Sequence, residues 1–365
     1  MLPTYEQFRA TKSFNSLDGL RGLAIISVVW HHTAGHFMPS GTLPGYISVY
    51  VFHLFFIISG FLITTLLLRE REKHGRMSLK NFHIRRSLRI YPLYYTVIIL
   101  YIIAVKLVEP NSVYGLQYMS NLKYFLTYTS NWFVTLDMTN NRVIFYFAWA
   151  LATEMQFYLV WPLIEKYLSR FWPVLLAILL IVVREAADNG LLDDTFAGGF
   201  LTLKIILSTS EGLCLGVITA HLLHSERGFN SVRRYLGQAW MPLIAVIVLM
   251  TFIILLNVTT PLNTLFIILL LTITMISCAI REDHWLKGVL ASPIARFVGK
   301  VSYGVYLMHM LTYNVIKKVL PAALLDNLVL VFVISLIVVI FVAWLSYRYY
   351  ESFFLRIKAR YSRTA

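Results

Sequence analysis

Four ionisable side chains interrupt long apolar stretches of this sequence and are its clearest candidates for chemistry. They are His32, Glu154, Glu211 and His309. Counted along a helix at about 1.5 Å per residue, each lies roughly 13–16 Å from one end of its stretch. A histidine beside a carboxylate is the usual arrangement for general-base catalysis, because the carboxylate fixes the tautomer and stabilises the imidazolium. The four residues therefore predict a buried acid/base cluster.

Each of these residues also has a structural interpretation. A histidine within a membrane often only hydrogen-bonds a neighbouring helix, and a buried glutamate is often protonated and structural. Taken alone, His309 and Glu211 fit that structural interpretation better. His32 and His36 are spaced for a pair of metal ligands, but no third ligand has a useful spacing. No metal site is predicted.

A second candidate for chemistry is the basic segment that begins at Arg85. Within it, Arg86 and Arg89 are three residues apart and share one face of a helix. Planar guanidinium groups match phosphate oxygens, so the pair is suited to an anionic cofactor such as coenzyme A. The alternative is ordinary positive charge at the cytoplasmic end of a membrane span, and spacing alone favours that alternative.

The elements that must position these residues are membrane spans. Of the 365 residues, 58% are hydrophobic and only 14% are charged, whereas soluble domains are about 25% charged. The sequence therefore predicts an all-α, polytopic transmembrane helical bundle of about ten spans. They lie near residues 20–38, 46–68, 90–108, 143–164, 171–184, 200–223, 240–257, 262–280, 301–320 and 327–347. The net charge of +14 is then explained by loops at the membrane surface, and no nucleic-acid partner is expected.

Basic residues predict the orientation of the spans. A weaker apolar stretch at 118–136 is either an eleventh crossing or an interfacial helix. If it does not cross, 25 of the 32 Lys and Arg residues fall on one face. They occupy the start of the chain, 69–90, 165–170, 224–239, 281–300 and 348–365. The positive-inside rule thus favours ten spans with both termini cytoplasmic.

The expected domain organisation is a single transmembrane domain over residues 1–365. It includes a cytoplasmic N-terminus at 1–19, an extracytoplasmic or interfacial segment at 109–142 and a basic cytoplasmic tail at 348–365. No fused soluble esterase-like domain is expected. The sequence contains no G-x-x-x-x-G-K-[ST], G-x-S-x-G or H-E-x-x-H motif, so ATP-driven transport, α/β-hydrolase and zincin chemistry lack support.

Five segments, in order along the chain, resemble the motifs of one membrane enzyme family. They are SLDGLRGLAI at 16–25 followed by His32, FFIISGFLIT at 55–64, RRSLRIYPLY at 85–94, WALATEMQFYLVWP at 149–162 and VGKVSYGVYLMH at 298–309. Together they resemble the acyltransferase-3 family over essentially the whole chain.

The resemblance implies a ten-span O-acyltransferase that takes an acyl group, most often acetyl, from cytoplasmic acyl-CoA. The usual acceptor is a hydroxyl of a carbohydrate, a lipid-linked glycan or a small natural product. Membrane lipids and acyl-CoA are the other partners, no metal is needed, and the expected location is the bacterial inner membrane with a role in the cell envelope. A proton-coupled transporter or flippase that uses the buried His and Glu residues is the alternative.

The resemblance also implies roles for individual residues. His32 is the catalytic histidine, with Glu154 as its carboxylate partner. Arg86 and Arg89 bear on the acyl donor, and Arg21 belongs to the same motif as His32. The candidates for the acceptor side are His309, Glu211, Trp149 and Tyr303.

Overall fold

The computed structural model describes residues 2–11, 13–35, 50–134, 143–169, 171–192, 199–255 and 260–361, and all regular structure within them is helical. The first nine helices are α1 (Tyr5–Ala10), α2 (Asn15–Thr33), α3 (His53–His74), α4 (Leu79–Val108), α5 (Val113–Leu126), α6 (Ser130–Phe133), α7 (Ala148–Tyr167), α8 (Phe171–Asp188) and α9 (Phe200–Leu207). The others are α10 (Glu211–His224), α11 (Glu226–Leu236), α12 (Met241–Leu255), α13 (Pro261–Ile280), α14 (Lys287–Leu290), α15 (Pro293–Val319), α16 (Ala322–Leu325), α17 (Leu328–Leu345) and α18 (Ser352–Ala359). A π-helical turn at Ser346–Glu351 joins the last two.

Several of these helices have the length and composition of membrane spans. Four qualify singly: α3, α4, α13 and the continuous helix Leu328–Ala359. The number rises to six if each of two bent helix pairs counts as one span. The other four predicted spans coincide with α2, α7, α8 and α15, which are helical but do not meet that measure.

The predicted span at 200–223 differs from the structure. Instead of one helix there are two, α9 and α10, inclined to each other by 52°. The side chain of Ser210 accepts a hydrogen bond from the Leu213 N–H and so caps α10, while the Ser208 hydroxyl donates to the Ile205 carbonyl at 2.8 Å. Short hydroxyl side chains therefore satisfy the backbone where the helix breaks, and Glu211 becomes the first residue of a new helix.

The weak apolar stretch near 118–136 begins within a short helix packed on α4. Helix α5 has 14 residues, fewer than the roughly 20 needed to cross a bilayer. The Tyr94 hydroxyl donates to the Phe125 carbonyl at 2.7 Å, and the Tyr118 hydroxyl donates to the Ile98 carbonyl at 3.3 Å. These two bonds hold α5 against α4, and the two helices run antiparallel.

Two glycine-mediated crossings bring helix backbones into direct contact. A Cβ atom on Gly299 of α15 would lie 1.9 Å from the Asp18 carbonyl oxygen of α2, and one on Gly22 would lie 2.6 Å from the Ala295 carbonyl oxygen. Helices α3 and α10 meet in the same way at Gly60 and Gly216. Only glycine permits such an approach, so these crossings are determined by four glycine positions.

The segments predicted to share the basic face contact one another. Guanidinium groups donate to backbone carbonyls of distant segments: Arg69 to Thr11 at 2.7 Å, Arg71 to Glu165 at 3.1 Å, Arg85 to Tyr361 at 2.8 Å, Arg233 to Pro3 at 2.9 Å and Arg281 to Gly237 at 3.0 Å. The Ser16 hydroxyl donates to Glu282 at 3.0 Å. All six predicted basic segments are thereby linked at one end of the bundle.

Candidate functional site

Two histidines from different helices meet inside the bundle. The rings of His32 on α2 and His309 on α15 have centroids 4.9 Å apart. Phe147 packs against both, at 6.4 Å from His32 and 4.7 Å from His309, and His31 adjoins His32 at 5.0 Å. We call His32 and His309 the histidine pair.

The hydrogen bonding of His309 determines which of its nitrogens can accept a proton. Its Nδ1–H donates to the Tyr306 carbonyl oxygen at 2.6 Å, because a carbonyl only accepts. The ring is 1% exposed, and its Nε2 has no hydrogen-bond partner among the described residues. In the neutral ring Nε2 therefore presents an unused lone pair within the core.

Glu154 has hydroxyl partners that sequence reasoning did not identify. Ser59 of α3 and Tyr158, one turn further along α7, both donate short hydrogen bonds to the same oxygen of Glu154. Glu154 also interacts electrostatically with Arg21, Arg86 and Tyr306. Glu154 therefore interacts with arginine side chains, whereas the sequence predicted only His32 as its partner.

Three arginines form a cluster at the N-terminal third of α4. Arg21 and Arg86 each interact electrostatically with Arg89, and the Arg86 guanidinium lies over the Tyr158 ring at 5.3 Å. None of the three forms a hydrogen bond or ion pair with any residue that the structure describes. We call them the arginine cluster. Like charges at close range favour an anion between them.

The neighbouring Arg85 has a structural role instead. Its guanidinium forms an ion pair with the buried Glu70 at 3.0 Å and donates to the Tyr361 carbonyl. The basic segment therefore divides into one arginine that joins parts of the fold and two that form no hydrogen bond or ion pair with the described residues. The i, i+3 spacing predicted that Arg86 and Arg89 share a face, and they do.

Tyrosines connect the arginine cluster to the histidine pair. Tyr303 donates to the Ile90 carbonyl at 2.7 Å and interacts electrostatically with Glu154 and Arg89. One turn on, Tyr306 donates a short hydrogen bond to the Phe147 carbonyl, and its ring centroid lies 5.9 Å from that of His309. One side of α15 thus carries a polar path between the two centres.

With this geometry in place, the comparisons with known proteins identify the family. Residues 14–348 match the acyltransferase domain of the acyltransferase-3 type. The chain belongs to the acyltransferase-3 family. No solved structure matches it.

Three curated bacterial relatives carry the names of O-acetyltransferases. The "Putative O-acetyltransferase" of Staphylococcus aureus strain COL is 26% identical over 369 residues, which is 95% of this chain and 58% of the relative. The "Putative peptidoglycan O-acetyltransferase YrhL" of Bacillus subtilis is 26% identical over 95% of this chain and 56% of its own length. The "Peptidoglycan O-acetyltransferase OatA" of Listeria monocytogenes is 36% identical over 153 residues, 40% of this chain and 23% of its own. The acyltransferase-3 chain thus spans less than two thirds of these relatives.

Glu211 lies in a different part of this acyltransferase-3 fold. Its carboxylate forms an ion pair with Arg184 of α8 at 3.1 Å, and Arg184 also pairs with Asp188 at 2.8 Å. The sequence placed Glu211 with the other three buried ionisable residues, but the described contacts associate it with α8. The sequence indicates only how deep a residue lies within its span, and depth alone does not identify Arg184 as the partner of Glu211.

Trp149 belongs to an aromatic group at the start of α7. Its ring contacts Phe52 at 5.7 Å and Phe56 at 6.2 Å, and Phe52 stacks on His53 at 4.2 Å. The other metal ligand considered with His32, His36, lies outside the described residues. Among the described part of the chain, no group of three or more His, Cys, Asp or Glu side chains is arranged to hold a metal.

Sequence reasoning also missed a buried histidine–glutamate pair near the basic face. His221 Nε2 lies 2.8 Å from Glu165 Oε1, with side-chain exposures of 5% and 0%. The Trp161 indole N–H donates to the same oxygen at 3.0 Å. Glu165 lies just beyond the predicted span 143–164 and His221 lies near the end of the span 200–223. Neither is therefore at the middle of a span, and their pairing depends on how α7 meets α10.

A second missed cluster joins α2 to the segment before α14. The Ser16 hydroxyl donates to Glu282 at 3.0 Å and accepts from His284 Nε2 at the same distance. Burial lowers the pKa of His284, whereas hydrogen bonds from Arg281 lower the pKa of the neighbouring Asp283 carboxyl. The lowered pKa favours the neutral form of His284, and these hydrogen bonds hold the fully buried Ser16 against the segment before α14.

Proposed function

We propose that this chain transfers an acyl group, an acetyl group as in the names of its relatives, from cytoplasmic acyl-CoA to a hydroxyl. The acceptor is a carbohydrate, a lipid-linked glycan or a small natural product, with an envelope polysaccharide favoured by the relatives named for peptidoglycan. The observation that carries this proposal is the histidine pair inside the bundle, related through Glu154 and the tyrosines of α15 to an arginine cluster that forms no hydrogen bond or ion pair with the described residues.

The arginine cluster is the proposed donor site. Coenzyme A carries its negative charge on phosphates, and guanidinium groups bind phosphate through paired, charge-assisted hydrogen bonds. Arg86 is already oriented by stacking over the ring of Tyr158. Docking there would let the neutral pantetheine arm extend along the Tyr303 and Tyr306 side of α15 toward the histidine pair.

In the direct route His32 acts as general base. It takes the proton of the acceptor hydroxyl while the oxygen attacks the thioester carbonyl; the C–O bond forms, the C–S bond breaks, and the proton passes to the departing thiolate. The products are the ester and free coenzyme A. The lone pair on His309 Nε2 is available to share that proton or to orient the acceptor. Glu154 balances charge between the two centres.

In the covalent route His32 itself takes the acyl group. Its ring nitrogen attacks the thioester, coenzyme A leaves as the thiol, and the acceptor hydroxyl then attacks the acyl-imidazole. A labelled acyl group that stays on His32 when acceptor is withheld supports this route. Rapid-quench experiments in which the protein never carries label support direct transfer.

The acceptor side is proposed at the opposite end of the histidine pair. Trp149, with Phe52 and Phe56, provides an aromatic surface of the kind that stacks against sugar rings. Among the predicted polar residues, His309 is the candidate for orienting the acceptor, because its ring contacts His32. Tyr303 instead lies on the donor path with Arg89, and Glu211 is paired with Arg184.

We further propose the ten-span topology, with both termini and the linked basic segments cytoplasmic in a bacterial inner membrane. Helices α3 and α10 run parallel, because His53 and Ile57 of α3 approach Gly212 and Gly216 of α10 in the same order. Parallel spans require an odd number of crossings between them. The spans α4, α7 and α8 supply three, whereas a crossing by 118–136 would make four. Residues 109–142 then form the extracytoplasmic or interfacial segment, within one transmembrane domain over 1–365.

Release of the coenzyme A thiol tests the proposed function. The full chain, purified into lipid nanodiscs, is expected to convert acetyl-CoA to free thiol faster when a soluble glycan fragment or muropeptide is added. O-acetyl ester on the recovered glycan, measured by mass spectrometry, should rise in step. If the chain in sealed vesicles instead moves a solute without thiol release, the transporter alternative is correct and the acyltransferase proposal fails.

Loss of a guanidinium from the arginine cluster should weaken donor binding. For Arg89→Gln we expect the Kd for coenzyme A to rise about 10- to 100-fold, since a hydrogen bond to a charged group contributes about 1.5–3 kcal/mol. Isothermal calorimetry in nanodiscs measures this. Arg76→Gln, which removes one exposed charge from the same face, is the control and should bind like the wild type; equal loss in both variants would reduce the site to a general charge effect.

A further inference from the structure

The residues on either side of the C-terminal helix α18 are hydrogen-bonded to α4. The Tyr350 hydroxyl lies 2.9 Å from the Thr96 hydroxyl and donates to the Pro92 carbonyl at 3.3 Å. Farther along, Arg85 donates to the Tyr361 carbonyl at 2.8 Å, and the Tyr361 N–H donates to the Lys358 carbonyl at 3.1 Å. The turn that carries Lys358 is thereby tied to the arginine segment.

The π-helical turn before α18 determines which side chains face α4. A π-turn holds one more residue than an α-turn, so every later side chain is rotated by about 100° relative to an uninterrupted helix. Within this turn Glu351 is buried and interacts electrostatically with Arg89. The chain thus brings charged side chains of its C-terminal part to the arginine cluster.

Lys358 is half-buried among cations. Its ammonium interacts electrostatically with Arg89, Arg86 and Arg85, and it has no hydrogen bond or ion pair with any side chain in the described residues. Glu70 neutralises Arg85, while Glu351 faces Arg89 and Glu154 interacts with Arg86. In the described part of the chain, none of the electrostatic partners of Lys358 is acidic. Holding an ammonium beside three guanidinium groups is unfavourable unless an anion joins them.

We propose that Lys358 is a donor-binding residue that completes the arginine cluster and contacts the phosphates of the acyl donor. This inference rests on the proposed function. An ammonium with three rotatable donors complements planar guanidinium forks around a group that carries several phosphates. The alternative source of phosphate is a lipid headgroup at the membrane surface. The hydrogen bonds that hold this turn on α4 favour the donor, because Lys358 interacts electrostatically with Arg86 and Arg89.

Coenzyme A binding to the full chain in nanodiscs of neutral lipid tests the inference. We expect Lys358→Gln to raise the Kd for coenzyme A about tenfold, and Lys358→Arg to restore most of it. Arg356→Gln, on the exposed side of the same helix, is the matched control and should not change the Kd. A second titration with 3′-dephospho-coenzyme A locates the contact: equal affinity of variant and wild type assigns Lys358 to the 3′-phosphate, and a persisting difference assigns it to the pyrophosphate.

The outcomes separate this inference from the proposed function. If the wild type binds coenzyme A and Lys358→Gln binds it equally well, the inference is overturned and the donor proposal stands. If the variant loses affinity only for vesicles that contain anionic lipid, Lys358 serves a lipid headgroup and the inference is again wrong. If the wild type binds no coenzyme A, the donor proposal fails and the assignment of Lys358 fails with it.

Discussion

His32→Ala should lower the rate of acyl transfer by about 10²- to 10⁴-fold, the usual contribution of a positioned general base. The substitution removes the imidazole ring of α2 that contacts His309. It leaves the arginine cluster intact. The Kd for coenzyme A should therefore stay within about twofold of wild type, a change below 0.5 kcal/mol. Thiol release with saturating acetyl-CoA and acceptor measures the rate.

The control for this variant is His74→Ala, which removes an exposed imidazole at the far end of α3. It should turn over like the wild type. Partial rescue of His32→Ala by added imidazole would further assign the lost rate to the ring itself. A folded His32→Ala protein with full transfer activity would remove His32 from the mechanism.

Glu165→Ala should cause a large loss of stability. It leaves His221 and the Trp161 indole N–H buried without their acceptor. Breaking a buried pair from one side costs about 3–5 kcal/mol. We expect a reduction of that size in the free energy of unfolding, measured by denaturant titration in micelles.

Glu165→Gln keeps an acceptor oxygen of nearly the same shape, so its loss should be clearly smaller. Glu226→Ala, an exposed carboxylate at the start of α11, serves as the matched control and should unfold close to wild type. If Glu165→Ala proved as stable as Glu226→Ala, the pair would contribute nothing and the α7–α10 contact would rest on apolar packing alone.

The parts of the fold that the sequence predicts well are those encoded by local composition. Runs of about 20 apolar residues coincide with helices, and the distribution of Lys and Arg predicted which segments meet at one end of the bundle. The break before Glu211 was missed although a local signal was present. The hydroxyl residues Ser208, Thr209 and Ser210 precede an acidic residue, which is the pattern of a helix start.

The candidate site was predictable only in part, because depth within a membrane is one coordinate of three. His32 and His309 were predicted at similar depths and do meet, but Glu211 was assigned the same depth and associates with Arg184 instead. Which helices are neighbours depends on crossings such as those at Gly299 and Gly216. Lys358 was out of reach for another reason: the π-turn that orients its helix has no recognisable sequence pattern.

The crossing of α2 and α15 has a consequence for how the protein can move. Because Gly299 leaves no room for a side chain between the two backbones, we expect α2 and α15 to move together. Arg21, His32, Tyr303 and His309, which these two helices carry, would then keep their spacing. We expect the opening that admits or releases a bulky thioester to lie where α4 and the C-terminal segment meet α2 and α15. Such an opening would preserve the spacing of the catalytic side chains.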